Sequence, residues 1–166
     1  FLKYNYKKNN GKYKKLSPYL LNIFLIFLII QISFGAFVSG LDAGKIYQTW
    51  PLMGNSFFPD DSKIIDLFSL SALDSPSLVQ FLHRSIAYLI TLLFLFILFK
   101  IFINDDFIYL RKNVLLVLYT LIFQIFLGIL TVMSGAHIAI ASFHQICSVF
   151  LITFTLMLVF KNSKTN

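Results

Sequence analysis

From Asn113 to Phe160 the chain runs 48 residues without an Asp, Glu, Lys or Arg, and the run is interrupted near its middle by Ser134-Gly135-Ala136-His137. A bilayer core takes about 20 apolar residues to cross as a helix, so the run fits two spans joined by a tight turn. One histidine, His144, falls inside the second of these spans. An ionisable side chain at that position costs roughly 2.5–3.5 kcal/mol when charged on insertion scales, and such residues usually mark function.

The rest of the chain has the same character. With 58% hydrophobic and 13% charged residues and a mean hydropathy of +0.79, the composition excludes a water-soluble domain. Four stretches, residues 17–39, 78–100, 113–133 and 138–160, are each long enough to span as helices. The expected fold class is all-α: a polytopic membrane four-helix bundle with an ordered outer loop over about residues 40–77. A basic tail, residues 1–16, precedes the bundle (residues 17–160), and a short tail, residues 161–166, follows it.

Charge placement orients these spans. Lys3, Lys7, Lys8, Lys12, Lys14 and Lys15 crowd the first tail, Lys100, Arg111 and Lys112 flank the second-to-third link, and Lys161 and Lys164 follow the last span. The 40–77 loop instead holds Asp42, Asp60, Asp61, Asp66 and Asp74 against Lys45 and Lys63. The positive-inside rule then places both ends in the cytoplasm, or its organellar equivalent, and the acidic loop outside. The net charge of +7 is thus explained by topology, and no nucleic-acid partner is expected. No span reads as a cleavable signal peptide. The lone Cys147 forms no internal disulfide. The first residue is Phe, from which we expect a segment of a longer protein.

Gln31-Ile-Ser-Phe-Gly35 in the first span is echoed by Gln124-Ile-Phe-Leu-Gly128 in the third, and His83 and His144 hold corresponding places in the second and fourth. The echo points to a duplicated helical hairpin with pseudo-twofold symmetry about a central space. By residue count both histidines lie some 8–9 Å below the outer boundary, at a rise of ~1.5 Å per residue. Two neutral imidazoles at one level on non-adjacent helices can ligate a single heme iron, with Leu, Ile and Phe packing the porphyrin faces. Zinc is disfavoured, because a closed site takes four ligands and a catalytic one typically three. Gly35 and Gly128 either let a flat macrocycle approach or serve as small-residue helix contacts. Arg84 either pairs with a heme propionate or snorkels to the interface. His137 lies in the turn, where exposure is favoured over ligation, and Cys147 reads as a small packing residue. Gln31, Gln80, Gln124 and Gln145 either bond ligand edges or bridge helices.

Beyond the first span, Gly35-Ala-Phe-Val-Ser-Gly40-Leu-Asp-Ala-Gly-Lys-Ile-Tyr-Gln-Thr-Trp50-Pro-Leu-Met-Gly54 is punctuated by Gly and Pro and cannot stay helical. It forms an ordered cap, with Tyr47 and Trp50 suited to the interface. This segment closely resembles one found in heme A synthases of the alphaproteobacterial and mitochondrial type. The likeness continues through Gln80-Phe-Leu-His83-Arg84, Ala87-Tyr88, Gln124-Ile-Phe-Leu-Gly128-Ile-Leu-Thr131 and His144-Gln145, covering all four spans.

The resemblance implies that this chain is the C-terminal four-helix half of a two-half protein. It implies a membrane oxidoreductase that oxidises a methyl group of heme O to a formyl group, yielding heme A for cytochrome oxidase. His83 and His144 match the histidines that hold heme b and its iron in this half of the family, and Arg84 is carried as a further cofactor-binding candidate. The family's substrate site and catalytic acid belong to the other half; no Glu occurs here, and the catalytic residues are unknown. Heme O is the implied substrate; further expected partners are membrane lipid, an unidentified electron donor, and heme O synthase or a second copy of the chain. The implied location is the bacterial inner membrane, with the mitochondrial inner membrane as the alternative. The chain lacks the cysteine pair some relatives carry, and Leu82 stands where Asn is common. Two other readings stand beside it: a membrane cytochrome b-type electron-transfer subunit, and a non-enzymatic assembly or scaffold protein.

Overall fold

The computed structural model describes residues 13–164; the expectation for the basic tail therefore lies mostly outside the described residues. Four long helices account for the chain: α1 Pro18–Gly40, α2 Pro76–Ile103, α3 Arg111–Met133 and α4 Ile138–Ser163. All four are long and apolar enough to cross a membrane, as the sequence predicts. Proline at the first turn starts α1 and α2, where its missing N–H costs nothing. Ser75 caps α2 by accepting from the Leu78 N–H. The α3–α4 turn closes with Ala136 N–H donating to the Thr131 carbonyl at 2.8 Å and Gly135 N–H to Val132 at 3.0 Å. Gly135 takes φ +65° there, a left-handed conformation that glycine reaches without a Cβ penalty.

The tightest pairings are α1 with α2 and α3 with α4, and α1 also packs on α4. The bundle is therefore two antiparallel hairpins side by side. Short 3-10 turns at Ala43–Lys45, Ile64–Phe68 and Leu70–Leu73 order the long loop, and another at Asp105–Leu110 links α2 to α3. We call the two ends of the bundle the loop end and the termini end.

Apolar packing is unevenly distributed along the bundle. The buried cluster comprises Leu21, Phe24 and Leu28 of α1, Ile90, Phe94, Ile97 and Ile101 of α2, Val114, Val117 and Leu121 of α3, and Leu151 and Leu158 of α4, with Leu16 and Leu110. Given the chain direction of each helix, every one of these side chains lies toward the termini end. The loop half of the bundle instead holds the polar spans residues Gln31, His83, Gln124 and His144. At the termini end Asn162, 3% exposed, fastens three segments. Its amide donates to the Leu16 carbonyl at 2.8 Å, and its oxygen accepts from the Leu16 N–H and the Tyr109 hydroxyl, both at 2.9 Å.

Candidate functional site

His83 lies seven residues into α2 and His144 six into α4, about 10 and 9 Å below the loop end at 1.5 Å per residue. The pair is thus level, as the residue count predicts, and α2 begins two residues earlier than the hydropathy alone implies. Both side chains are partly buried.

Each histidine is braced from the partner helix of its own hairpin. Gln31 Nε2 lies 3.2 Å from His83 Nε2 and donates to the His83 carbonyl at 3.1 Å. Gln124 Nε2 donates to the His144 carbonyl at 3.0 Å. One turn further along α1 and α3, the glycines make room for the rings: a Cβ on Gly35 would stand 3.4 Å from His83 Cε1, and one on Gly128 3.1 Å from His144 Cε1. The space at these glycines is filled by imidazole edges, not left for the approach of a macrocycle as the sequence reading allowed. The Gln-x-x-x-Gly echo is therefore a repeated structural module, one glutamine and one glycine per histidine.

Four polar atoms of this layer are buried without a partner: His83 Nδ1, His144 Nδ1, Gln31 Oε1 and Gln124 Oε1. A buried polar group left unpaired costs about 1–3 kcal/mol, so a layer with four of them is suited to a ligand. Among the described residues no three His, Cys, Asp or Glu side chains come together as a metal cage. Two imidazole nitrogens and no carboxylate are the donor set that an iron porphyrin takes, and the residues present fit that group.

Arg84, buried beside His83, is committed to the loop. Its guanidinium donates to the carbonyls of Tyr47 at 2.9 Å, Thr49 at 3.0 Å and Leu52 at 3.3 Å. Gln80, one turn earlier on the same face, donates to the same Tyr47 carbonyl at 3.0 Å. The loop is further fixed by Thr49, whose hydroxyl accepts from the Gly54 N–H at 2.9 Å and donates to the Leu52 carbonyl at 2.8 Å. Sequence reasoning left Arg84 between a propionate and the interface; the i, i+4 spacing of Gln80 and Arg84 was the available signal for a shared third role. His137 is exposed at the start of α4, away from the paired layer, and Cys147 is buried one turn below His144.

Residues 2–156 match the model of a family described as cytochrome oxidase assembly protein. The chain belongs to that family. It is 43% identical over 156 residues to heme A synthase of Pelagibacter ubique strain HTCC1062, covering 92% of this chain and 46% of that protein. To heme A synthase of Wolbachia pipientis wMel it is 39% identical over 132 residues, covering 80% and 36%. To heme A synthase of Bartonella quintana strain Toulouse it is 30% identical over 166 residues, covering 95% and 43%. The chain thus spans less than half the length of these relatives. No solved structure matches it.

Proposed function

We propose that this chain is the heme b-binding half of a heme A synthase, a membrane oxidoreductase that converts a methyl group of heme O to a formyl group. Family membership supports the reaction class, and the repeated Gln, Gly and His module at one depth is the observation that supports heme binding by this half. His83 and His144 are the residues that would hold the iron, one from each hairpin, and a heme bound there would supply one-electron transfer. An iron held by two protein imidazoles would be suited to electron transfer, with oxygen chemistry assigned elsewhere. Oxidation of the substrate methyl group therefore belongs to the other half of the protein.

The remaining residues have supporting parts. Gln31 and Gln124 orient the histidine backbones, and Gly35 and Gly128 admit the rings. Arg84 and Gln80 tie the outer loop over the layer and exclude water from it. The apolar cluster toward the termini end closes the floor. The topology fits an inner membrane with both ends in the cytoplasm, as the lysine distribution implies.

The test is His83→Ala and His144→Ala in the detergent-purified protein, reading heme content and the reduced absorption spectrum. Each substitution is expected to abolish the low-spin signal. An unchanged low-spin heme in both variants overturns the ligand assignment. Heme A produced by cells with and without the full-length protein separates the synthase from an electron-transfer subunit.

A further inference from the structure

The long loop descends beside α2. Residues 46–59, between Lys45 and Asp60, hold no Asp, Glu, Lys or Arg, so every charge of the loop lies outside this stretch. Inside it, the Phe57 ring stacks on Tyr88 of α2, with centroids 6.1 Å apart and planes 28° from parallel. Phe81 of α2 stands edge-on to Phe57 at 6.3 Å and to Phe58 at 5.0 Å. Met53 is buried in the same joint, beside Phe81 and Ser85.

Tyr88 sets the depth of this joint. The 28 residues of α2 make about 42 Å of helix at 1.5 Å per residue, about 12 Å more than the hydrocarbon of a bilayer. The Tyr88 Cα is about 18 Å from the start of α2. It therefore lies about 18 Å inside hydrocarbon if the boundary falls at the helix start, and about 6 Å inside if the whole excess stands above the boundary. Helical side chains lean toward the helix start, which carries the stacked Tyr88 and Phe57 rings up toward the acyl–headgroup boundary.

Lipid offers a peptide group no partner, so non-helical backbone at this level must be turned to protein and satisfied there. Buried Arg84 donates to the carbonyls of Tyr47, Thr49 and Leu52, and Gln80 to that of Tyr47. The Met53 N–H donates to the Ser56 carbonyl at 2.8 Å and the Ser56 hydroxyl to the Phe58 carbonyl. The outward side of the segment is apolar: Trp50, Leu52 and Phe57 are exposed, as are Leu89 and Leu92 further along α2.

We propose that residues 50–58 form an interfacial wedge in the loop-side leaflet, its backbone held to α2 and the Leu52 and Phe57 side chains in contact with lipid acyl chains. The apolar faces of interfacial elements enter a bilayer by about 5–10 Å, the level at which the Phe57 stack stands. The lipid-facing surface of α2 thus continues onto the loop, and Arg84 and Gln80 are the internal donors that let irregular backbone lie at that boundary.

The experiment places a nitroxide label on single cysteines, Leu52→Cys, Phe57→Cys, Asp60→Cys and Leu92→Cys, in an otherwise cysteine-free full-length protein reconstituted in phosphatidylcholine vesicles. Collision rates are read with oxygen, which partitions into hydrocarbon, and with a water-soluble nickel chelate. Labels at positions 52 and 57 are expected to meet oxygen several-fold more often than the chelate, as at position 92 in α2, and the label at position 60 to show the reverse order. Chelate collisions prevailing at both 52 and 57 put the segment in water and overturn the proposal. Low rates with both reagents at these two positions show protein covering the segment, either another part of a longer chain or a second copy, and overturn it equally. Leu52→Cys leaves the stack of Phe57, Phe81 and Tyr88 intact, so position 52 decides if Phe57→Cys fails to fold.

Discussion

Gly128 and Gly35 occupy equivalent places, each four residues beyond its glutamine, yet a methyl group added to one is not equivalent to a methyl group added to the other. At Gly35 the new Cβ meets His83 Cε1 at 3.4 Å, an ordinary contact, whereas at Gly128 it meets His144 Cε1 at 3.1 Å. Alanine in a helix interior gains roughly 0.5–1 kcal/mol over glycine from chain entropy. Gly35→Ala is thus expected to leave heme content unchanged and raise thermal stability slightly. Gly128→Ala is expected to fold as well, because the atom it displaces ends a side chain that can rotate, but to lose low-spin heme; a spectral titration of the two variants checks the order. Arg84 makes a prediction of a different kind. In Arg84→Met the Thr49 carbonyl loses its donor, while the Tyr47 and Leu52 carbonyls keep Gln80 and the Thr49 hydroxyl; losing the charge-assisted bonds costs about 1.5–3 kcal/mol. Amide hydrogen exchange across residues 47–54 is expected to speed by more than tenfold while exchange in α3 is unaffected. Arg84→Lys does not restore protection, because a compact ammonium lacks the planar guanidinium's spread of donors that lets one side chain span the separate carbonyls.

The helices were legible in the sequence because lipid enforces long uncharged runs, and the Ser134-Gly135 interruption fixed the α3–α4 turn to the residue. The paired histidines were legible for the same reason: in so apolar a chain a polar side chain stands out. What could not be read is which partner each polar side chain chooses. The bond from Gln31 to His83 joins residues 52 apart and that from Arg84 to the Tyr47 carbonyl residues 37 apart, and both depend on helix rotation and loop path that composition leaves open. Asn162 is the extreme case, bonding Leu16 across 146 residues; an asparagine near a helix end gives no sign that it will serve as a clamp. Its side chain behaves like a strand neighbour, giving and taking one hydrogen bond with a single backbone residue while also accepting from Tyr109. Asn162→Leu leaves the Leu16 N–H and carbonyl without partners and is expected to cost about 2–3 kcal/mol. The loss is measurable as a lowered midpoint in detergent unfolding, with the helical circular dichroism of the native state unchanged.

Taken as one molecule, the bundle is a pair of hairpins, and the single span α2 lies between residue 60 in the loop and residue 104 in the α2–α3 link, so the two face opposite compartments. In a Cys147→Ser background, Asp60→Cys and Asn104→Cys are expected to react with an impermeant thiol reagent from opposite sides of sealed vesicles; labelling of both from one side rejects the four-span arrangement. The uneven filling along the bundle axis has a consequence for traffic. Hydrocarbon is about 30 Å thick, and the histidine layer stands about 10 Å below the loop end at 1.5 Å per residue, which leaves roughly 20 Å of close-packed Leu, Ile, Val and Phe on the far side. That floor is an electrical insulator. If the layer holds a redox centre, as proposed, charge would exchange readily toward the loop compartment or sideways within the plane of the bilayer, and only sluggishly toward the compartment of the chain ends.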